Sequence, residues 1–352
     1  MRANSIFLLS TAAAAMGDLF IPLIAKDAGA SNLMVGIIVA AYGLMSLVSL
    51  TLFGWVSDKR DRMSLIKGGL LLSTLTFLLL VFAVGDTTLL FLARALCGFS
   101  MGVFYSSLVV YGLESKKKVG EYTSYESLGW GLGNLFAGII AVYFRVFVAA
   151  AFFFFVSFLI SLRLKAVKRE VVDAPRHPWK VFKKNLGIYL PFMLRDTGAF
   201  SIWALFPIYL AGLGADSLWI GILLFLNTGS QFFLKQFVDR IDHEKLFLGG
   251  LLLSAIAFTS YMLPSNYIQV IPIQILIAIS WSALQVGAIS ILTNSNSEKA
   301  TAIGLFSSAR SLARVIGPLL AGVITQYYGF GALMMFAGGL TFSGFLVRVL
   351  MR

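Results

Sequence analysis

Seven ionisable residues stand inside long apolar stretches of this chain: the acids Asp18, Glu126 and Asp196, and the bases Arg94, Arg195, Arg310 and Arg314. A charge in apolar surroundings is costly, so such residues either neutralise one another or bind and move charge. Arg310 and Arg314 are four residues apart and share one face of a helix. Burial of a carboxyl group favours its protonated form, which suits it to taking up and releasing a proton. Asp18 and Glu126 are the candidates for that chemistry, with Arg94 as the expected partner of Asp18. Metal chemistry is not expected. His177 and His243 both sit among charged residues and read as solvated, and Cys97 is the single cysteine, which excludes an intramolecular disulfide and a multi-cysteine site. The spacing Gly129-x-Gly131-x-Gly133 lies inside an apolar run with no preceding strand, so it does not read as a nucleotide loop. No Walker A motif, intramembrane histidine pair or reactive serine with a base is legible. Neither a cofactor nor an enzymatic activity is expected.

The elements that carry these residues follow from composition. Of 352 residues, 59% are hydrophobic and 12% charged, against roughly 25% charged in soluble domains. A soluble enzyme, a disordered chain and a secreted disulfide scaffold are excluded. The net charge of +12 would suggest nucleic acid in a soluble protein. Here the basic residues crowd into short gaps between apolar runs, so the lipid bilayer is the expected partner and nucleic acid is not. Runs near the ~20 residues needed to cross a bilayer occur at about 4–25, 33–57, 63–84, 87–112, 119–143, 145–163, 186–211, 217–238, 244–263, 266–293, 298–325 and 328–350. Their length selects helices over barrel strands. The first run resembles a cleavable signal peptide from Met1 to Met16, but it pairs with the seventh in the repeat below and is read as retained. The N-terminus and even-numbered gaps hold 22 of the 28 Lys and Arg residues, Lys235 counted among them, and the odd-numbered gaps hold Lys26 and Arg145. Positive loops stay cytoplasmic, which predicts a multi-pass protein of the cell membrane with both termini inside.

The two halves repeat each other. Residues 65–77 match 246–258 at eight of thirteen positions. Pro22, Gly29, Ala30, Leu33, Gly36 and Ile37 recur 185 residues later as Pro207, Gly214, Ala215, Leu218, Gly221 and Ile222. Gly120, Ser124, Ser127, Gly133, Ala137, Gly138 and Tyr143 recur 184 residues later. Six helices per unit means that both copies enter from the same side, a parallel repeat about an axis along the membrane normal. The expected division is a six-helix bundle over 1–163, a basic cytoplasmic linker over 164–185, and a second bundle over 186–352. Trp179, Val181 and Phe182, set among Lys180, Lys183 and Lys184, read either as a short amphipathic piece on the membrane surface or as solvated linker.

Between runs two and three stands Gly54-Trp-Val-Ser-Asp58-Lys-Arg60-Asp-Arg62. It resembles the signature loop of the major facilitator superfamily, with Asp61 where a glycine is usual. A degenerate copy, Val238-Asp-Arg240-Ile-Asp242, stands at the equivalent place in the second half, and Leu90-Phe-Leu-Ala-Arg94-Ala-Leu-Cys-Gly98 is similar to the family's second motif. The Gly-Pro motif common in span five of drug–proton antiporters is found instead as Gly317-Pro318 in span eleven, which departs from that subclass. The resemblance implies an all-α membrane protein of twelve helices and a monomeric secondary transporter working by alternating access. It implies a gate of Gly54, Asp58, Arg62 and Glu114, with Asp58 near Thr301 and Arg62 reaching Glu114. It also places spans one, four, seven and ten around a central cavity, with five and eleven beside them, and all seven buried charges fall on those spans. Arg195, Asp196, Arg310, Arg314, Tyr105, Trp281 and Gln285 are the expected cavity residues, with Tyr42, Asn134, Asn227, Gln231 and Gln274 as further polar candidates. At ~1.5 Å per residue, Asp18 and Arg94 lie at equal depth and should pair. The expected activity is proton-coupled efflux of an amphipathic small molecule. Uptake of a small organic anion with protons, or a polytopic receptor without transport, are the alternatives.

Overall fold

The structure is a computed structural model and describes residues 2–59, 62–114, 119–164, 178–237, 241–296 and 299–351. The chain runs through α1 (Arg2–Leu19), α2 (Ile21–Asp27), α3 (Asn32–Lys59), α4 (Arg62–Phe82), α5 (Thr87–Glu114), α6 (Val119–Ile140), α7 (Tyr143–Ser161), α8 (Pro178–Lys184), α9 (Leu186–Gly212), α10 (Ser217–Phe237), α11 (His243–Ser260), α12 (Ile271–Ser295) and α13 (Lys299–Leu350). Two adjustments turn these into twelve spans among the described residues. First, α1 and α2 form one span broken at Phe20. Pro22 lacks the N–H that would bond the Asp18 carbonyl, so the helix is interrupted there. Second, α13 is two spans joined at Gly329, whose φ of 78° lies in the left-handed region that glycine adopts without penalty.

Length and apolar composition alone qualify eight segments to cross a bilayer, one of them the 47-residue stretch Gly304–Leu350 that holds two spans. The spans that do not qualify are α6, α9 and α11. The first two carry Glu126, Arg195 and Asp196 within them, and α11 opens on His243, Glu244 and Lys245. Apolar side chains such as Leu75, Phe82, Ile139, Phe144, Phe152 and Ile256 are exposed on the outside of the bundle, where lipid rather than water receives them.

Packing obeys the repeat. In the first half α1 packs on α6 and α7, α5 packs on α3 and α4, and α4 packs on α7. In the second half α9 packs on α13, α12 packs on α10 and α11, and α11 packs on α13. Single contacts repeat as well. A buried serine pair, Ser73 to Ser100 at 3.1 Å, joins α4 to α5, and its counterpart, Ser254 to Ser280 at 3.1 Å, joins α11 to α12. Arg2 Nη1 donates to the Arg163 carbonyl, and Arg348 Nη1 donates to the Gly187 carbonyl. The two bonds occupy equivalent places 185 residues apart with donor and acceptor exchanged.

The halves meet along two lines, α6 against α10 and α3 against the first span of α13. Small residues set the approach. A Cβ on Gly36 would stand 2.4 Å from the Pro318 carbonyl oxygen, and one on Gly138 would stand 2.9 Å from the Gly221 Cα. Backbones this close leave no room for a side chain. The linker helix α8 is docked rather than solvated throughout: Val181 is buried, Phe182 stacks on Tyr189, and Asn185 and Asn296 exchange side-chain hydrogen bonds at 2.9 and 3.0 Å. Trp179 remains exposed.

Candidate functional site

Between the halves lies a cavity of about 250 Å³. Its walls come from α1, α2, α3, α5 and α6 on one side and α9, α10, α12 and α13 on the other. All seven charges foreseen from the sequence line it, together with Trp281 and Gln285. Trp130, Phe200, Trp203 and Phe206 add aromatic faces. Pro22 and Pro207, the repeat-related prolines of the first span of each half, open their helices into the same space.

Six of the seven charges fall into three groups, and Arg314 lies apart with its guanidinium 5.0 Å from the centre of the Phe200 ring. In the first, Arg94 Nη2 donates to Asp18 Oδ1, and its guanidinium lies 4.4 Å from the centre of the Tyr42 ring. Arg94 is 1% exposed and Asp18 43%, so the acid faces the cavity and the base stands behind it. The pairing expected from equal depth is present. In the second group, Asp196 is held between two arginines, with Arg195 Nη1 at 2.9 Å and Arg310 Nε at 3.4 Å. Both guanidiniums lie against the Trp281 ring, at 4.7 and 4.8 Å from its centre, and Arg195 Nε donates to Ser254 at 3.1 Å. That serine belongs to the repeated serine pair, which ties the charge cluster to the packing of α11 on α12. The third group is Glu126, which accepts a 2.6 Å hydrogen bond from the Tyr105 hydroxyl. Among the described residues Glu126 makes no ion pair.

Several sequence expectations need correction. Tyr105 is not among the lining residues; it stands behind Glu126 and reaches the cavity only through that carboxylate. Gln274 is fully buried in α12 and does not line the cavity, because its position faces the packed interior of the second half. Lys235, read as a loop charge, is a cavity residue. It is 4% exposed, lines the cavity from α10, and donates to Ser127 at 2.8 Å. Asn227, Gln231 and Lys235 are spaced by four and form one polar stripe on α10. Gln231 Nε2 donates to Asn227 at 2.9 Å, and Ser127 on α6 receives the lysine at the end of the stripe. The i, i+4, i+8 spacing was the signal that could have found Lys235.

The glycines of α6 pack two neighbours. A Cβ on Gly129 or Gly133 would meet α1, at 2.0 Å from Thr11 Oγ1 and 2.2 Å from the Ala12 carbonyl oxygen. One on Gly131 or Gly138 would meet α10 at Gly229 or Gly221. In the second half Gly317 takes the place of Gly133, against Thr197 of α9. Of the expected gate, Gly54 and Asp58 fall at the end of α3, Arg62 opens α4, and Glu114 ends α5. The side chains of Asp58, Glu114 and Thr301 and all of Arg60 and Asp61 lie outside the described residues.

Comparison with known proteins agrees with this architecture. The family model of the Major Facilitator Superfamily matches residues 4–229 and 188–352. The multidrug resistance protein MdtG of Proteus mirabilis is 24% identical over 92% of this chain and 88% of its own length. The quinolone resistance protein NorA of Staphylococcus aureus is 23% identical over 86% of this chain and 84% of its own. Citrate exporter 1 of Aspergillus niger is 29% identical over 115 residues, and the match covers 22% of the length of that protein. The crystal structure of the nucleoside transporter NupG superposes with a TM-score of 0.79 at 12% identity, over 99% of this chain and 98% of that one, which establishes the shared fold. A repeat of six helices, two interfaces between the repeats and a charged cavity at their junction are thus found in a chain matched along its length by one family model: this protein belongs to the Major Facilitator Superfamily and is a multi-pass membrane transporter of small molecules.

Proposed function

We propose that the chain moves an amphipathic small molecule by proton-coupled alternating access, with Glu126 as the group that carries the proton. The observation that carries this reading is the contrast among the three cavity acids. Among the described residues Asp18 and Asp196 each make an ion pair with an arginine, while Glu126 makes none and accepts a hydrogen bond from the Tyr105 hydroxyl. An acid engaged in a direct ion pair is less free to exchange a proton than one engaged by a neutral hydroxyl. Glu126 also stands on α6, one of the helices along which the halves meet, so opening the cavity on one side or the other changes its solvation. The aromatic walls supply surface for an apolar substrate body.

Two directions are compatible with such coupling. Export driven by proton entry is supported by the names of the MdtG and NorA relatives, which are resistance proteins. Uptake of an organic anion together with a proton is favoured by the charge of the cavity: Arg94, Arg195, Lys235, Arg310 and Arg314 outnumber Asp18, Glu126 and Asp196. The test is purified chain in liposomes loaded with a pH-sensitive dye, offered a quinolone, citrate, a nucleoside and 2-naphthoate in turn. A substrate should move protons with it in the native protein and in Asp18→Asn, and move without protons in Glu126→Gln. Substrate flux with no proton movement in the native protein would refute the reading.

A further inference from the structure

We infer that Lys235, Arg310 and Arg314 form an anion-binding subsite around Glu126, so that a negatively charged organic group and a proton occupy the cavity together and cross in the same direction. The inference rests on Glu126 as the proton carrier and adds the substrate class and the sense of coupling.

The subsite is built from charges that the cavity leaves in excess. Asp18 neutralises Arg94, and Asp196 is shared by Arg195 and Arg310. Among the described residues no carboxylate lies within ion-pair distance of Lys235 or Arg314. Lys235 is nevertheless 4% exposed, and its described hydrogen bond is to a neutral hydroxyl, that of Ser127. A buried ammonium in contact only with neutral groups is costly unless something anionic arrives. Arg310 is 31% exposed and keeps part of its guanidinium open beyond its contact with Asp196. Arg314 lies one turn further along the same face, its guanidinium 5.0 Å from the Phe200 ring. Planar guanidiniums suit carboxylate, sulfonate and phosphate groups. Trp281 and Phe200, already in contact with these arginines, are placed to receive the apolar body of the same molecule.

The groups around Glu126 come from every neighbouring helix. On α5 there is Tyr105, and on α6 itself Tyr122. From α10 comes Lys235, which is within electrostatic reach of both Glu126 and Arg310. From α13 come Arg310 and Arg314, which line the same cavity as Glu126. From α1, Thr11 contacts the Glu126 carbonyl oxygen and Asp18 lies two turns on, while α9 brings Arg195 and Asp196 to the same cavity. An anion held by the three cations shares the cavity with the Glu126 carboxylate. Ionised Glu126 repels it, and protonated Glu126 does not. Anion and proton therefore each raise the affinity for the other, by reciprocal linkage. A cation would do the opposite: it would compete with the proton for Glu126 and be exchanged for it.

The experiment uses three probes with one aromatic body and three charges, the anion 2-naphthoate, neutral 2-naphthamide and the cation 2-naphthamidine. Binding to the full chain in detergent is followed by tryptophan fluorescence from pH 5.5 to 8, with proton uptake read by calorimetry in two buffers of different ionisation heat. 2-Naphthoate should bind at least tenfold more tightly than the other two, take up protons on binding, and weaken by up to tenfold per pH unit as the pH rises. Lys235→Met and the milder Lys235→Gln should both lose most of the preference for the anion, and Glu126→Gln should bind 2-naphthoate tightly with no proton uptake. Preference for the amidine, equal binding of the three, or no binding by any of them overturns the subsite. Anion preference with proton uptake that persists in Glu126→Gln keeps the subsite and overturns the assignment of the proton to Glu126.

Discussion

Tyr105 donates its hydroxyl hydrogen to Glu126 at 2.6 Å, and that carboxylate has no ion-pair partner among the described residues. The two remaining cavity acids are bound to arginines. Tyr105 is thus placed to set how readily Glu126 takes up its proton. A hydrogen bond to the charged form favours that form, and hydrogen bonds to charged groups contribute about 1.5–3 kcal/mol. In Tyr105→Phe the pH dependence of transport should differ from that of the native protein, measured as initial rates in liposomes across a pH series. An unchanged pH dependence would show that the tyrosine does not act on the proton.

Asp18 and Arg94 should behave as a structural pair. Removing one partner of a buried pair costs about 3–5 kcal/mol; Asp18→Asn strands the guanidinium of Arg94, which is 1% exposed, whereas Arg94→Ala leaves an acid that is 43% exposed. Asp18→Asn should lower the melting temperature, and combining it with Arg94→Ala should recover part of the loss. Asp18→Asn should keep a pH-dependent transport rate. Loss of pH dependence in that variant would move the proton from Glu126 to Asp18.

The second-half cluster is more demanding. Asp196 is 1% exposed and compensates two guanidiniums, one of them 3% exposed. Asp196→Asn leaves Arg195 buried with the serine and the aromatic rings alone. It should destabilise by about 3–5 kcal/mol, seen as a drop in melting temperature like that of Asp18→Asn, which also strands a buried guanidinium. A native melting temperature in Asp196→Asn would show that this carboxylate does not compensate the buried arginines.

Much of this site was legible in the sequence, and the failures have physical causes. The depths of Asp18 and Arg94 could be estimated because the rise of a helix is nearly constant, and the repeat placed Pro22 and Pro207 at equivalent points. The partnership of Tyr105 with Glu126 depends on how α5 and α6 are rotated about their axes, which uniformly apolar sequences do not encode. Lys235 was lost for another reason. It falls near the end of its run, where a lysine ordinarily extends to the membrane surface. The stripe formed with Asn227 and Gln231 turns it inward.

The interface between the halves gives a prediction independent of charge. Gly36 allows α3 to lie against the Pro318 carbonyl, and a Cβ there would be 2.4 Å away. Gly36→Val should stop the halves from closing along this line. Overpacking costs about 1–3 kcal/mol, so the protein should fold, bind substrate and fail to transport it. Engineered cysteines across α3 and α13 at this level should cross-link in the native protein and not in the variant. Normal transport by Gly36→Val would show that this contact does not close during the cycle.

The central claim is that the proton travels on Glu126, and it is tested most directly by comparing two fluxes in liposomes containing Glu126→Gln. Counterflow, in which external labelled substrate exchanges for internal unlabelled substrate without a pH gradient, needs alternating access but no net proton movement. Accumulation driven by an imposed pH gradient needs both. The variant should retain counterflow within a few-fold of the native rate and show no gradient-driven accumulation at any pH. Gradient-driven accumulation in Glu126→Gln, with the pH dependence of the native protein, would contradict the account.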